Sequence, residues 1–201
     1  MSGSGKNTSM SESSASKWNA RYAFSGGSVP APAQVLSQGA RWLPEPVALT
    51  VPEADNTLCA LDMACGRAGN AQYLAERGFR VSAWDVSDTV INEIGNRKPS
   101  IIHDAQVRDV VQRPPEPATF DVIVVARFLD RTVCDDIARA LKPGGLLFYQ
   151  TFVHGLKNPA FLLNENELLD LFSTLHVLEY CEPAIDANGV AEACLVARRN
   201  A

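Results

Sequence analysis

Downstream of Thr57 the chain switches between two hydrophobic periods. The segments "TLCALDM" (57–63), "FRVSAWD" (79–85), "FDVIVVARFL" (120–129) and "LLFYQTF" (146–152) are short, largely apolar runs. Runs of this length predict strands buried on both faces. Between them, apolar residues fall at helical spacing. "NAQYLAER" (70–77) is stopped by Gly78, "SDTVINEI" (87–94) offers Ser87 as N-cap, and "RTVCDDIARAL" (131–141) repeats Val133, Ile137 and Leu141. Lys142-Pro-Gly-Gly145 should end that helix. "SIIHDAQVRD" (100–109) gives a weaker third strand, and "QRPPEP" (112–117) is too rich in proline for a normal helix. A last helix is expected in "NENELLDLF", where Asn164 and Glu167 are spaced as a capping box. Two final strands, "HVLEYCE" and "EACLVARR", flank the turn "DANG".

Alternating strands and helices predict a doubly wound, mainly parallel α/β sheet, and the short last link makes the final strand pair antiparallel. Residues 17–201 form one domain on this reading, and residues 1–16, serine-rich and poor in large apolar groups, form a disordered tail. The tail's "GSGK" lacks the spacing, the Ser or Thr after Lys6 and the preceding strand of a phosphate-binding loop. Residues 17–50 are expected to make a helical lid, with Pro32 opening a helix that buries Val35, Leu36 and Leu43, before Pro44, Pro46 and Pro52 enforce an irregular link.

Composition narrows the function classes. A chain of 201 residues, 46% hydrophobic, suffices for one well-buried core. Its net charge of −5 disfavours sequence-independent nucleic-acid binding. It has neither an apolar run long enough to span a membrane nor the apolar core of a signal peptide, and the expectation is a soluble cytoplasmic protein. Five scattered cysteines, without C-x-x-C pairs or histidines at ligand spacing, point to no metal site and no disulfide framework.

The chemistry concentrates after the first strand, in "LDMACGRAGN" (61–70). Gly66 lets the backbone approach a ligand, and the following helix start presents free N–H groups. Ala64, Gly66 and Gly69 read as a dinucleotide fingerprint with its first glycine replaced; Asp62, Cys65 and Gly66 read equally as part of a site for another nucleotide cofactor. Asp85, ending the second strand, can accept both hydroxyls of a ribose or cap the next helix. Asp109, past the third strand, is placed for an adenine amine or is a loop carboxylate. Ala126 and Arg127 end the fourth strand, where Arg127 can hold a carboxylate or pair with Asp130. Ligands of doubly wound sheets bind beyond the carboxyl ends of the strands, where all these residues converge.

The series "LDMACGRAGNAQYLAERGFRVSAWDVS", "FDVIVV" and "ALKPGGLLFYQTF", in that order, resembles the class I S-adenosylmethionine-dependent methyltransferases over about residues 17–197. With Trp18 to Tyr22 it is most similar to the small bacterial tellurite-resistance-type enzymes. The resemblance implies a seven-stranded, Rossmann-like sheet ordered 3-2-1-4-5-7-6 with strand 7 antiparallel, and S-adenosylmethionine as cofactor. It also implies that Asp62, Ala64 and Gly66 surround the methionine part, that Asp85 takes the ribose hydroxyls, and that Asp109 with Val110 borders the adenine, with Cys65, Asn70 and Val86 also among the cofactor-binding residues. Ala126 and Arg127 would border the cofactor, with Trp18 and Tyr22 over its sulfonium. Ala64 and Ala68 depart from the family's glycines and are tolerable if φ stays negative.

His154 in "TFVHG" is the candidate base, required only where the acceptor must lose a proton. The fourth strand is followed by "ARFL" and not by a motif for amino methylation of bases. The expected substrate is therefore a small soluble molecule such as a thiol, a chalcogen oxyanion or a metabolite, with residues 154–163 as its wall. Two other classes remain: a non-catalytic cofactor-binding protein and a nicotinamide oxidoreductase.

Overall fold

The computed structural model describes residues 8–24, 27–45, 57–97, 100–155, 158–182 and 189–201. The apolar runs form the expected strands: β1 (Cys59–Met63), β2 (Arg80–Asp85), β3 (Asp104–Val107), β4 (Phe120–Ala126), β5 (Leu141–His154), β6 (His176–Cys181) and β7 (Ala191–Arg198). They build one sheet in the order β3-β2-β1-β4-β5-β7-β6, with β7 antiparallel to both neighbours and the remaining pairs parallel. This is the Rossmann-like methyltransferase topology.

Helices cover both faces: α1 (Thr8–Phe24), α2 (Gln34–Gln38), α3 (Gly69–Ala75), α4 (Asp88–Gly95), α5 (Cys134–Ala140) and α6 (Glu167–Leu171). Strand alternation splits the core in two. Leu61, Ile123, Val125 and Tyr149 pack on the side of α5 and α6, while Ala60, Val122, Val124 and Phe148 pack on the side of α2, α3 and α4. β4 is therefore apolar on both faces, the pattern that made it legible. Ser87 caps α4 as expected, accepting from Val90 N at 3.4 Å.

Local differences from the sequence reading have physical causes. α1 begins at Thr8, inside the segment expected to be disordered. The hydrogen bonds that anchor it lie further along: Asn19 Oδ1 accepts from Ser87 Oγ at 2.6 Å, and the Tyr22 carbonyl accepts from Arg67 at 2.9 Å. The serine-rich turns continue a helix that is docked by its other half. "GSGK", Pro46, Pro52 and most of "DANG" lie outside the described residues. α2 starts at Gln34, not at Pro32, because Ala33 stays extended and donates its N–H to Asn70 Oδ1 at 2.8 Å. "LKPGG" belongs to the start of β5, since α5 already ends at Ala140; the register irregularity against β4 falls there.

Between β3 and β4 the proline-rich segment makes turns instead of a covering helix. Arg108 takes over part of that role. Its guanidinium lies 3.8 Å from the centroid of Trp84 and donates to the carbonyls of Arg113 and Pro114 and to Glu116. A planar cation on an indole face seals the sheet where the short crossover leaves it bare.

Candidate functional site

A cleft of about 1920 Å³ opens at the carboxyl ends of β1, β2, β4 and β5. On the β1 and β2 side it is lined by Ala64, Cys65, Gly66, Asn70, Asp85 and Val86. The third strand adds Asp109 and Val110, the fourth Ala126 and Arg127, and α1 covers it with Trp18 and Tyr22. These positions, drawn from across the sequence, meet as the sequence reading expected.

Asp85 is the organising group. Its two oxygens accept separately, Oδ2 from Gly66 N and Oδ1 from Ser87 N, each at 2.9 Å. Burial pushes its carboxyl above the usual range, against the pull of these backbone donors. Asp85 thus ties the first loop to the start of α4 and still borders the cleft. The helix-cap alternative goes to Ser87.

Asp62 has a different place. It is fully buried, accepts from Asn70 Nδ2 at 3.2 Å and Ala71 N at 2.9 Å, and does not line the cleft. Burial pushes its carboxyl up to about 7 despite both donors. Its work is to fix Asn70, which in turn holds Ala33 of the covering segment. Asp62 thus lies beneath the cleft wall and is joined to it through Asn70, which lines the cleft.

The glycine question resolves by conformation. Ala64, Gly66 and Ala68 all adopt positive φ, at 54°, 50° and 61°. The expectation of negative φ at both alanines is thus corrected: closure of the turn between β1 and α3 requires left-handed backbone whichever residue stands there. At Gly66 a Cβ would add to the left-handed strain a tight 3.0 Å approach to the Tyr22 hydroxyl. Gly69 is needed because a Cβ would lie 2.5 Å from the Pro30 carbonyl. The Gly69 requirement thus comes from the covering segment rather than from a ligand.

Trp18 and Tyr22 stack with ring centroids 6.0 Å apart, and Arg67 lies 5.3 Å from the Tyr22 ring centre. Asp109 Oδ1 accepts from Val111 N and Gln112 N, so it shapes its own turn while bordering the cleft. Arg127 pairs with Glu192 at 2.6 Å, not with Asp130, whose carboxylate instead accepts from Thr132 N at 2.9 Å. His154 stands outside the cleft, exposed, with Nδ1 2.9 Å from the Gly189 carbonyl oxygen. The end of β5 turns it to the hairpin of β7, and no proton transfer in the cleft is assigned to it.

Among the cleft residues that escaped the sequence reading are Gln150, Glu192 and Arg108. Gln150 Oε1 accepts from Val35 N at 2.9 Å while its Nε2 donates to Glu192, joining α2 to β5 and β7. The signal was a lone polar residue inside "LLFYQTF", since a buried amide demands partners. Among the described residues no group of three or more His, Cys, Asp or Glu side chains could hold a metal, and no helix is long and apolar enough to cross a membrane.

Comparison with known proteins agrees with this geometry. A family model described as a methyltransferase domain matches residues 60–145. No curated protein sequence matches significantly. TehB from Haemophilus influenzae superposes with a TM-score of 0.61 at 23% identity, over 73% of this chain and 59% of its own. An S-adenosylmethionine-dependent methyltransferase from Methanosarcina mazei gives 0.65 at 16%, over 85% and 99%. Phosphoethanolamine N-methyltransferase 2 of Haemonchus contortus, solved in complex with S-adenosyl-L-methionine, gives 0.65 at 15%, over 92% and 56%. The chain spans less than two thirds of TehB and of the Haemonchus enzyme, and likeness at these identities is one of fold. Residues 60–145 thus match a methyltransferase-domain family, and the sheet around them has the strand order of the Rossmann-like methyltransferase fold.

Proposed function

We propose that the protein transfers a methyl group from S-adenosylmethionine to a small soluble acceptor. The observation that carries this reading is the placement of Asp85: a buried carboxylate at the end of β2, on the cleft wall, with Gly66 N–H beside it. A ribose diol donates to such a carboxylate, and those bonds offset the desolvation that raises its pKa.

The residues present fit the cofactor. Asp85 and Val86 would hold the ribose, Asp109 and Val110 the adenine edge, and Ala64, Gly66 and Asn70 the methionine end. The space over Gly66 is kept small by the Tyr22 hydroxyl, and the Trp18 and Tyr22 faces suit a sulfonium. Bound there, S-adenosylmethionine would supply an electrophilic methyl group for in-line displacement by an acceptor lone pair, a reaction in which alignment is much of the catalysis.

The acceptor end lies across β5 and β7, where Gln150, Phe152, Phe161 and Glu192 line the cleft. Phe161 and Asn158 belong to the segment expected as the substrate wall. A mixed amide, carboxylate and aromatic lining suits a small polar acceptor such as a thiol, a chalcogen oxyanion or a metabolite, and the resemblance to tellurite-resistance-type enzymes, with the fold of TehB, favours the same class. With His154 outside the cleft, an acceptor that reaches it already deprotonated, such as a thiolate or an oxyanion, needs no base.

The test is labelled methyl transfer from S-adenosylmethionine to a metabolite extract. A labelled small product that disappears with Asp85→Ala is expected. Cofactor binding without product from any extract overturns the enzymatic part in favour of a binding module, and binding of NAD alone overturns the cofactor assignment.

A further inference from the structure

Cys181 of β6 and Cys194 of β7 stand directly opposite each other in the antiparallel ladder. Opposed residues of such a pair share one face, with Cα atoms about 4.5–5.5 Å apart. A disulfide needs roughly 4.4–6.8 Å. The Cα spacing of either type of ladder pair is thus within disulfide range, and a small local adjustment of edge strand β6 brings the two Cβ atoms close enough for a bridge.

Both residues are free thiols, and both line the cleft. They sit towards the other edge of the sheet from Asp85, and Cys194 is in register with Gln150 on β5, next to the proposed acceptor end. Cys181 is exposed and Cys194 half-buried. Burial, with Cys181 and Glu192 adding to it, pushes the Cys194 thiol up to about 11, so Cys194 waits protonated while Cys181 meets solvent. The remaining cysteines have no such counterpart: Cys59 is on β1, Cys65 is buried in the first loop, and Cys134 is buried on α5.

We propose that Cys181 and Cys194 form a reversible dithiol–disulfide site, oxidised by a low-molecular-weight organic disulfide of the glutathione type, that modifies the acceptor end of the cleft. Cys181 loses its proton to water and attacks one sulfur of the external disulfide. That S–S bond breaks, and the first thiolate leaves and takes up a proton. Cys194, once deprotonated, attacks Cys181 Sγ in the mixed disulfide and releases the second thiol. Two protein thiols are oxidised and one external disulfide is reduced to two thiols. The bridge removes both S–H groups from the cleft wall and fastens edge strand β6 to β7. Exposed disulfides of this kind are the easily reduced ones, which makes the step reversible.

The consequence for methyl transfer rests on the proposed function; the bridge itself does not. The test treats the full chain with excess glutathione disulfide, alkylates the remaining thiols and maps peptides by mass. Two of the five thiols should become unreactive, the intact mass should fall by two hydrogens, and a Cys181–Cys194 peptide should appear and vanish with dithiothreitol. Cys194→Ser should stop at a glutathione adduct on Cys181. Five alkylatable thiols, a wild type that stops at the adduct, or a bridge to another cysteine overturns the proposal. Labelled methyl transfer should fall severalfold on oxidation and recover with dithiothreitol; unchanged transfer overturns the coupling to the cleft. S-adenosylhomocysteine binding by the reduced chain is read separately, so a chain that forms the bridge but binds none refutes the cofactor reading while supporting the thiol pair.

Discussion

Replacing Ala64 by glycine should stabilise the protein, an unusual direction for a residue beside a functional cleft. Ala64 has φ 54°, where an L side chain costs roughly 1–2 kcal/mol. Glycine relieves that strain but enlarges the freedom of the unfolded chain by about 0.5–1 kcal/mol. Ala64 is only half-buried, so little apolar contact is lost. The balance is a gain of about 0.5–1 kcal/mol, or a rise in Tm of about 1–4 °C for a domain of this size. Ala68 is the internal control. Its φ is 61°, but its methyl is fully buried among Val35, Leu36 and Leu74 in the same cluster. Losing that methyl costs about 0.8 kcal/mol and cancels the relief, so Ala68→Gly should be close to neutral. Urea unfolding of the two variants, compared with wild type at unchanged m, reads both effects. A loss of more than about 0.5 kcal/mol in Ala64→Gly, with Ala68→Gly no worse, would refute the left-handed strain assigned to the first loop.

Other consequences follow from the same contacts. Asp62 titrates at about 7 when folded against 3.8 when exposed, a difference of about 4 kcal/mol. Because the folded value is raised, the unfolded chain ionises first; the contribution of Asp62 is complete below pH 4 and is lost as pH rises to about 7. Between pH 4 and 7 the wild type should therefore lose about 4 kcal/mol of unfolding free energy relative to Asp62→Asn, with no further relative change above about pH 7, and parallel curves contradict the assignment. Gly69→Ala forces the Pro30 carbonyl away and should cost about 1–3 kcal/mol by thermal unfolding, more than the same change at the unobstructed Gly95. Gln150→Leu leaves Val35 N–H and Glu192 without their shared partner, for a loss of about 1–3 kcal/mol and faster hydrogen exchange at residues 33–37 than at α5.

The fold was largely written in local pattern. β1, β4 and the second half of β5 are apolar on both faces because both faces are covered, and Ser87 and Gly78 act within a turn of the helices they bound. What the sequence concealed depends on residues far apart in the chain. The sign of φ at Ala64 and Ala68 is imposed by closing β1 onto α3 beneath Pro30 and Tyr22, and alanine does not announce it. Arg127 pairs with Glu192 instead of nearby Asp130 because β7 returns antiparallel beside β5 and delivers the carboxylate. Asp62 is an acid at a strand end in either account; only the position of α3 shows that it faces Asn70 and Ala71 rather than the cleft. The same register of β6 on β7 brings together two cysteines that looked scattered.

The central claim is that Asp85 holds the ribose of an S-adenosyl cofactor, and calorimetric titration with S-adenosylhomocysteine tests it most directly. Wild type should bind it, and Asp85→Ala, with its circular dichroism unchanged, should bind roughly ten- to hundredfold more weakly, as expected for losing a charged hydrogen-bond acceptor worth about 1.5–3 kcal/mol. Failure of the wild-type chain to bind, or equal binding by the folded Asp85→Ala variant, would contradict the account.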